Sequence, residues 1–337
     1  MRQTTLGGSD QRWPDVLSND ANPSGGETMW WTRAARALSV ALLIPMLLGC
    51  SSGTSSGATA AGQSPKAAIT PAIAAPTAAP GQMVGVLPST DLAVGKNNRF
   101  QLGLLDDTNR PVHDARVRLI FVKLVDATNG QVRGFAEAPF RGSPQLGDKG
   151  LYVARVDFDE PGRWGVEVQA TRPNLAMQTL RLTFEVLAQS RTPAIGSSVP
   201  ASQTPVAATP SEAEQVCSAR PADDFHRLSI ADALGQRKPL VVLFATPAFC
   251  ATRTCGPSLE VVQLATAAYA DRLNVVHVEI YKDGRPPDLV PAVAEWSLTT
   301  EPWVFLVDAD GKVADKFEGG ITLEELQPAV TQLVTAS

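Results

Sequence analysis

Apolar and polar residues alternate in five segments of the region 83–187. An apolar residue at every second position is the period of a β-strand that has one buried face. Turn residues at 129–130, 147–150 and 160–162 separate several of the segments, which favours antiparallel pairing. The alternating apolar positions are Phe100, Leu102 and Leu104; Val117, Leu119 and Phe121; Tyr152, Ala154, Val156 and Phe158; Trp164, Val166, Val168 and Ala170; and Leu180, Leu182, Phe184 and Val186. The pattern predicts an all-β sandwich domain over residues 83–187.

The C-terminal part of the chain has a different pattern, in which strands alternate with helices. Residues 240–246 are an almost continuous apolar run, as expected of a strand that is buried on both faces. Residues 257–269 have the apolar spacing of a helix that starts at Pro257, and a capping box at Thr322 opens the last helix. The predicted order is strand, helix, strand, helix, strand, strand and helix, at residues 240–246, 257–269, 275–280, 289–296, 303–307, 313–317 and from 322 onward. This order predicts an α/β domain over residues 217–337.

Two segments lack both patterns and are rich in small and polar residues. Residues 50–82 consist almost wholly of Ser, Ala, Thr, Gly, Pro and Gln, and Lys66 is their one charged residue. Such a composition cannot bury enough apolar surface to offset the entropy of ordering, so we predict a disordered tether. Residues 188–216 contain prolines among Ser, Thr and Ala, which predicts an extended linker. We therefore expect disordered linkers before and between the two folded domains.

Composition and charge narrow the functional classes. The chain of 337 residues is long enough for two domains of ordinary size. Its net charge of -5, without any run of Lys or Arg, argues against a nucleic-acid partner. There are only 4 cysteines, and the 3 histidines lie in separate segments, so the sequence predicts neither a metal site nor a cofactor.

An apolar stretch at residues 37–48 follows Arg33 and Arg36 closely. A stretch of this length is too short to span a bilayer and is typical of the apolar core of a signal peptide. We expect residues 29–49 to be the signal peptide, with translation starting at its first methionine, and residues 1–28 to be an upstream extension.

The stretch ends in Leu47-Leu48-Gly49-Cys50, which resembles the lipobox of bacterial lipoproteins. In lipoproteins the cysteine thiol is diacylated, and a signal peptidase then cuts before this residue. The resemblance implies that Cys50 becomes the first residue of the mature chain and carries two acyl chains, which are enough for stable anchoring. We therefore expect a lipid-anchored protein of the cell envelope, on the extracytoplasmic face of a membrane.

Cys250 and Cys255 lie between the predicted strand 240–246 and the helix that follows it. Outside the cytoplasm thiols are not kept reduced, so this pair is open to oxidation. Closing so short a loop stabilises a fold by only about 2 kcal/mol in the chain-entropy model, which is modest for a structural bridge. Arg253 and the helix N-terminus both favour the thiolate, which is the reactive form of cysteine. A static bridge stays open as an interpretation, but these features favour a redox-active pair.

The order of elements, the dithiol between a strand and a helix, and an X-Pro bond before the last hairpin are together similar to the thioredoxin superfamily. The membrane-anchored envelope members of that family are the best match. The segments that carry the resemblance are LFATPAFCATRTCGPSLEVV at 243–262 and EPWVFLVDADGKV at 301–313. The resemblance implies a thioredoxin-like fold for 217–337 and a catalytic role for Cys250 and Cys255. It also implies a cis-proline at Pro302, beside Glu301, whose neighbouring backbone binds the substrate; from the residues alone the isomer stays open.

The block GLYVARVDFDEPGRWGVEVQA at 150–170 resembles the terminal hairpin of small immunoglobulin-like envelope domains. This resemblance implies an immunoglobulin-like sandwich for residues 83–187. A domain of this kind is expected to act as a spacer or as a docking surface.

The dithiol departs from the thioredoxin pattern of Cys-x-x-Cys, which usually follows Trp. Here four residues separate the cysteines, and Phe249 stands in place of Trp. Two registers stay open: either Cys250 attacks and Cys255 resolves, or Cys255 marks the start of the family motif. Leu243 lies near the position where the family has a buried acid that aids proton transfer.

Three further residues have reactive side chains to which the dithiol motif gives no role. His277 and Glu279 lie two apart in one predicted strand, and we interpret them as polar residues at a strand end rather than as a proton relay. Cys217 follows the second linker directly. A free thiol, an intermolecular bridge, a third exchanging cysteine and a buried small residue are all open interpretations of it.

These observations predict a membrane-anchored extracytoplasmic thiol-disulfide oxidoreductase that uses the Cys-x4-Cys pair without metal or cofactor. Its expected partners are exported proteins with thiols or disulfides, an electron donor in the membrane, and the membrane itself through lipidated Cys50. One alternative is a copper-binding chaperone similar to the Sco type, which has Cys-x3-Cys-Pro and a third, His ligand. The other is a non-catalytic thioredoxin-fold binding module with a structural disulfide.

Overall fold

The structure is a computed structural model that describes residues 80–126 and 129–336. All of these residues belong to one compact unit. The predicted signal peptide, Cys50 and nearly all of the predicted tether lie outside the described residues. Within the described part of the chain, no helix has both the length and the apolar character needed to cross a membrane.

The described residues of the region 83–187 form eight strands in two sheets of four. The strands are β1 (Val84–Val86), β2 (Gly95–Leu105), β3 (Arg116–Leu124), β4 (Gly130–Glu137), β5 (Phe140–Arg141), β6 (Leu151–Phe158), β7 (Gly162–Thr171) and β8 (Gln178–Val186). One sheet has the order β1-β2-β6-β5 and the other β4-β3-β7-β8, and neighbouring strands are antiparallel. The five alternating segments form β2, β3, β6, β7 and β8, as predicted.

The two sheets share one apolar core, in which aromatic rings meet across the sandwich. Phe100 of β2 and Phe121 of β3 are fully buried and meet edge to face, with ring centroids 5.0 Å apart. Such pairs add about 0.5–1.5 kcal/mol to what burial alone contributes. The strand β4 escapes the sequence pattern because it lies at a sheet edge, where few of its side chains are buried.

From residue 210 onward the described chain forms a four-stranded sheet and five α-helices. The elements are α1 (Pro210–Val216), α2 (Ile230–Gly235), β9 (Leu240–Ala245), α3 (Cys255–Thr266), β10 (Asn274–Glu279), α4 (Pro291–Glu295), β11 (Trp303–Val307), β12 (Val313–Glu318) and α5 (Leu323–Thr335). The sheet order is β10-β9-β11-β12. The strand β10 is parallel to β9, whereas β11 is antiparallel to both of its neighbours.

Helices cover both faces of this sheet. Val241 and Leu243 of β9 pack in one core with α3 and α5, whereas Val242 and Phe244 pack in a second core with α2 and α4. All residues of β9 are buried, as its continuous apolar run predicts. The loop that carries the dithiol therefore leaves a strand that is held on both faces.

The start of one helix and the cap of another differ from the prediction. The helix α3 begins at Cys255 rather than at Pro257, so this cysteine lies in the first turn of the helix. The predicted capping box at Thr322 is wrong, because no backbone N–H donates to the Thr322 side chain. The carboxylate of Glu325, which a capping box needs, is instead bound by Arg99 of the sandwich.

Residues 188–216 differ from the extended linker that their composition predicts, because they lie along the α/β region. The N–H of Val199 donates to the carbonyl of Gly311 at 3.0 Å. The indole N–H of Trp296 donates to the hydroxyl of Ser202 at 3.1 Å. The composition predicts that this segment has little regular secondary structure, but it does not predict these tertiary contacts.

A buried ion pair joins the sandwich to the α/β region. The guanidinium of Arg99 in β2 donates to both carboxylate oxygens of Glu325 in α5, at 2.9 and 3.0 Å. It also donates to the backbone carbonyls of Glu318 at 2.7 Å and Gly320 at 3.0 Å. The Arg99 and Glu325 side chains are only 4% and 8% exposed, so each charge depends on its partner in place of water.

Further ion pairs extend this interface. The ammonium of Lys316 in β12 donates to Asp91 at 2.8 Å and to two hydroxyls of the segment 188–216. Arg155 of β6 forms a two-point pair with Asp315, at 3.0 and 3.1 Å. The sandwich and the α/β region are therefore packed against each other within one compact unit.

Candidate active site

The loop between β9 and α3 brings together the two cysteines of the predicted pair. It folds back where the N–H of Arg253 donates to the carbonyl of Cys250 at 3.2 Å. Arg253 has a φ of 58°, in the left-handed region that residues other than glycine rarely adopt. This turn places Cys255, the first residue of α3, next to the Cys250 side chain.

Cys250 is the more accessible of the two thiols, because its side chain is only half-buried. Its sulfur accepts the backbone N–H of Cys255 at 3.2 Å, and the hydroxyl of Thr252 lies 3.3 Å away. A hydrogen bond from the Cys255 thiol, together with these two donors, lowers the pKa of Cys250 to about 5. Cys250 is therefore a thiolate at neutral pH, which is the nucleophilic form of cysteine.

Cys255 has the opposite environment. Its side chain is 0% exposed, and burial together with the neighbouring Cys250 raises its pKa well above the ordinary value. The helix N-terminus thus acts mainly on the partner, because the N–H of Cys255 points at the Cys250 sulfur. Of the two registers that the sequence leaves open, this asymmetry favours Cys250 as the attacking thiol.

A buried carboxylate completes the site. Glu301 is 6% exposed, and its Oε1 accepts the N–H of Ala251 at 3.0 Å. One of its oxygens and the sulfurs of Cys250 and Cys255 all lie within 4.8 Å of one another. Burial, reinforced by the charge of Cys250, raises the pKa of Glu301 to about 7. A carboxyl group with this pKa can accept or release a proton near neutral pH.

The sequence predicts that Glu301 contacts substrate only through its backbone. It places the family's buried acid near Leu243 instead. The carboxylate arrives from the residue that precedes Pro302, and the Glu301–Pro302 bond is cis. Leu243 itself is fully buried in the core on the α3 side of the sheet. The acidic residue directly before Pro302 is the one signal in the sequence that points to this role.

A cleft of about 380 Å³ extends from the dithiol loop along the boundary with the sandwich. Thr252 and Glu301 line its α/β side, and Leu104 and Leu151 are among the residues that line its sandwich side. Gln101 of β2 lies in the same wall and is 1% exposed. Neither polar atom of its side-chain amide has a hydrogen-bond partner among the described residues. The Gln101 amide is therefore buried behind the surface of this wall with its hydrogen-bonding capacity unsatisfied, which is rare in native proteins.

A second cluster of polar side chains lies beside β10. Cys217, Asp223, His226 and His277 are all buried, and one side-chain atom of each lies within 4.8 Å of those of the others. His277 thus differs from the strand-end residue that its sequence context predicts. No spacing rule joins these residues, because His277 follows His226 only after a helix, a strand and another helix. Glu279, which shares its strand, accepts instead the N–H of the residue after Cys217.

The low pKa of Cys250 predicts an unusual pH profile for alkylation. The rate of its reaction with iodoacetamide should be nearly constant from about pH 6 to pH 8 and should fall as pH drops through about 5. An ordinary cysteine instead speeds up roughly tenfold per pH unit below its pKa of about 8.5. The measurement is mass spectrometry of the Cys250 peptide in the reduced full chain, with buried Cys255 as the slowly reacting internal control. A tenfold rise per unit up to pH 8 contradicts the assigned thiolate.

A scan against models of known protein families finds none that matches this chain, and a search of curated proteins likewise finds no match.

Proposed function

We propose that this protein is a membrane-anchored, extracytoplasmic thiol-disulfide oxidoreductase that uses Cys250 and Cys255. The observation that carries the proposal is the asymmetric dithiol: an accessible thiolate, a buried thiol and a carboxyl group with a pKa of about 7, all within 4.8 Å. A static bridge requires none of these features. An exchange reaction requires a nucleophile, a resolving thiol and a proton acceptor.

The surrounding architecture supports the same proposal. A strand, the dithiol, a helix and a parallel strand are followed by an antiparallel hairpin and a final helix, an order similar to that of thioredoxin-superfamily domains. Glu301 and Pro302 lie beside the dithiol, where that family has its cis-proline. The sandwich of antiparallel sheets is similar in plan to immunoglobulin-like envelope domains. We therefore retain the thioredoxin-like and immunoglobulin-like assignments as part of the proposal.

The same dithiol can reduce a substrate disulfide in two exchange steps. The Cys250 thiolate attacks one substrate sulfur, which breaks the substrate S–S bond, forms a mixed disulfide and expels a substrate thiolate that takes a proton from water. Cys255 then transfers its proton to Glu301 and attacks the Cys250 sulfur, which forms the Cys250–Cys255 disulfide and expels the second substrate thiolate, and this thiolate takes up the proton from Glu301. Two electrons pass from the protein to the substrate. A thiol-bearing electron donor of the membrane then reduces the Cys250–Cys255 disulfide by the reverse exchange and is itself oxidised to a disulfide. When the pair starts oxidised, the same reverse steps oxidise substrate thiols.

We assign the substrate to the cleft between the sandwich and the α/β region. A cysteine-bearing segment of an exported protein lies there with its disulfide at Cys250, and its apolar side chains contact Leu104 and Leu151. Exposed Phe249, next to Cys250, offers further apolar contact. In this arrangement the sandwich is a docking surface rather than a spacer.

The anchor belongs to the proposal as well, although Cys50 lies outside the described residues. A chain that begins with a diacylated cysteine is held at the extracytoplasmic face of a membrane, where exported substrates and a membrane electron donor are both within reach. The lipobox-like sequence before Cys50 is the support for this location.

A Sco-like copper chaperone has one observation in its favour, because Cys250, Cys255 and Glu301 are grouped closely enough to hold an ion. Two thiolates suit Cu(I), but the third group is a hard carboxylate oxygen where that family has histidine. Copper binding is therefore the weaker candidate. Retention of Cu(I) by the reduced protein against a competing chelator, with loss in Cys250→Ser, favours the chaperone.

The proposal is tested by redox equilibrium. The full chain is equilibrated in buffers with different ratios of reduced to oxidised glutathione, quenched with acid, and analysed by thiol alkylation and mass spectrometry. We expect Cys250 and Cys255 to pass together between dithiol and disulfide, at a potential within the range of roughly -120 to -270 mV that oxidoreductases of this type cover. The reduced protein should also reduce insulin disulfides. A pair that stays in one state throughout, without insulin reduction, contradicts the proposal.

A further inference from the structure

Four buried side chains of three chemical types converge beside β10. Cys217, Asp223 and His226 lie in the segment between α1 and α2, and His277 lies within β10. The N–H of His277 donates to the carbonyl of Phe225 at 3.0 Å, which holds this segment against the strand. The segment thus presents a thiol, a carboxylate and an imidazole to a second imidazole.

Three of four distances between these groups are close to those between ligands around one small cation. Cys217 Sγ lies 3.4 Å from Asp223 Oδ2 and 3.9 Å from His277 Nδ1. Asp223 Oδ2 lies 2.7 Å from His277 Nδ1 and 3.4 Å from His226 Nε2. Tetrahedral zinc has Zn–N near 2.0–2.1 Å and Zn–S near 2.3 Å, which implies edges of roughly 3.3–3.8 Å between ligand atoms. Of these four contacts, only the 2.7 Å one between Asp223 and His277 has to open, by roughly 0.6 Å, to admit the ion.

The remaining polar atoms of these side chains have partners that orient them as metal ligands. Nε2 of His277 lies 3.4 Å from the carbonyl of Ala245, and a proton on Nε2 leaves Nδ1 free to bind a metal. Oδ1 of Asp223 accepts the N–H of Phe225 at 3.0 Å. The sulfur of Cys217 accepts a backbone N–H two residues further on, at 3.4 Å. Hydrogen bonds of this kind hold ligands in place around structural metal sites.

The second, independent observation is the imidazole of His226. Its side chain is 3% exposed, and its Nε2 has no hydrogen-bond partner among the described residues despite lying 3.4 Å from Asp223. A buried ring nitrogen whose nearest acceptor, the Asp223 carboxylate at 3.4 Å, makes no well-aligned hydrogen bond is costly, and few native groups are left so. A cation at the centre of the cluster would satisfy this nitrogen and separate the carboxylate from the neighbouring ring.

We propose that Cys217, Asp223, His226 and His277 bind one Zn²⁺ ion. Two imidazoles, a thiolate and a carboxylate are ligands that zinc accepts in tetrahedral sites. Calcium and magnesium require more ligands, almost all of them oxygen. Because all four side chains are buried, the coordination sphere is closed, and the zinc is structural rather than catalytic.

A zinc ion here also supports the dithiol loop. Ser218, next to Cys217, donates its N–H to the carboxylate of Glu279 at 3.0 Å. Its hydroxyl accepts the N–H of Ala248, in the loop that leads to Cys250, at 3.2 Å. The ion therefore fixes the segment that holds this loop, and it keeps the third thiol from exchanging with the other two.

The test is metal analysis of the purified full chain. Protein incubated with Zn²⁺ and freed of unbound ion by gel filtration is analysed by mass spectrometry of the metal. We expect about one zinc per chain, as for a closed four-ligand site. The zinc should be lost in Cys217→Ser and His277→Ala and retained in Cys250→Ser. The matched control is His113→Ala, because His113 is exposed and stacks on Phe140 in the sandwich.

Cobalt gives a readout that does not depend on how well the variants fold. The wild-type chain, stripped of metal and loaded with Co²⁺, should show intense visible absorption from a tetrahedral site and a thiolate-to-cobalt charge-transfer band. A wild-type chain that retains neither ion overturns the proposal and leaves the cluster as a hydrogen-bonded network. Zinc that is lost in Cys250→Ser but kept in His277→Ala also overturns it, because the ion then belongs to the dithiol. The redox titration is independent of both outcomes.

Discussion

The Cys255→Ser variant is expected to accumulate a covalent complex with its substrate through a mixed disulfide at Cys250. Loss of the resolving thiol leaves the first adduct without an intramolecular route to release. Cys250 is the half-buried thiolate of the pair, whereas Cys255 is buried and protonated. Turnover of insulin disulfides should fall to the uncatalysed background in this variant. Non-reducing electrophoresis and mass spectrometry of the adduct identify the sulfur that carries it.

The reciprocal variant, Cys250→Ser, tests which of the two cysteines attacks the substrate first. Cys250→Ser should form no adduct and should also lose turnover, because the remaining Cys255 thiol has a raised pKa and no exposed surface. The double variant, which still contains Cys217, controls for adducts at the third thiol. An adduct that forms on Cys255 in the Cys250→Ser protein reverses the assigned order of attack. If neither variant forms an adduct and both remaining thiols resist alkylation, the pair is a static bridge.

Arg99→Ala is expected to be the most destabilising single change at the boundary between the sandwich and the α/β region. The substitution leaves the Glu325 carboxylate buried without its charged partner and removes the donors of two backbone carbonyls. Breaking a buried ion pair on one side costs about 3–5 kcal/mol of unfolding free energy. Urea unfolding of the full chain, followed by fluorescence and by circular dichroism, measures the change.

The control for Arg99→Ala is Arg110→Ala, which removes an ion pair from the surface of the same sandwich. The Arg110 side chain is 77% exposed beside Asp106, and surface substitutions of this kind usually change stability by less than about 0.5 kcal/mol. Glu325→Gln provides a second variant that keeps a hydrogen-bond acceptor and removes only the charge. Equal stabilities of Arg99→Ala and Arg110→Ala show that the interface does not depend on the buried pair.

Local patterns in the sequence suffice for most of the secondary structure. The alternation around Phe100 and Phe121 indicates strands that are buried on one face. The continuous apolar run of β9 indicates a strand that is buried on both faces. The edge strand β4 has too few buried side chains to leave such a record. The docked segment 188–216 is missed for a related reason: its contacts are made by single residues such as Val199 and Ser202, which have no period.

For the candidate sites, too, residues that are close in the sequence can be predicted, whereas residues that packing brings together cannot. Cys250 and Cys255 share a short loop, so spacing alone identifies them. Glu301 joins them only because β11 lies next to β9 in the sheet, a neighbour relation that spacing along the chain does not contain. The cluster around His277 depends on a loop that packs against β10, and it is likewise invisible before the fold is known. Pairs close in sequence are predictable; pairs made by tertiary packing are not.

The docked segment 188–216 determines which part of this protein can be exchanged between proteins by recombination. A cut at residue 217, the boundary that composition indicates, removes Val199 from the α/β core and the hydroxyl of Ser202 from Trp296. It also removes the N–H of Ala207, which donates to the carbonyl of His226 at 2.7 Å. Arg99 and Arg155 of the sandwich also bind residues of the α/β region. A cut between the two domains therefore breaks side-chain contacts on both sides. The smallest unit that can move to another protein with its contacts intact therefore consists of the sandwich, the segment 188–216 and the α/β region together.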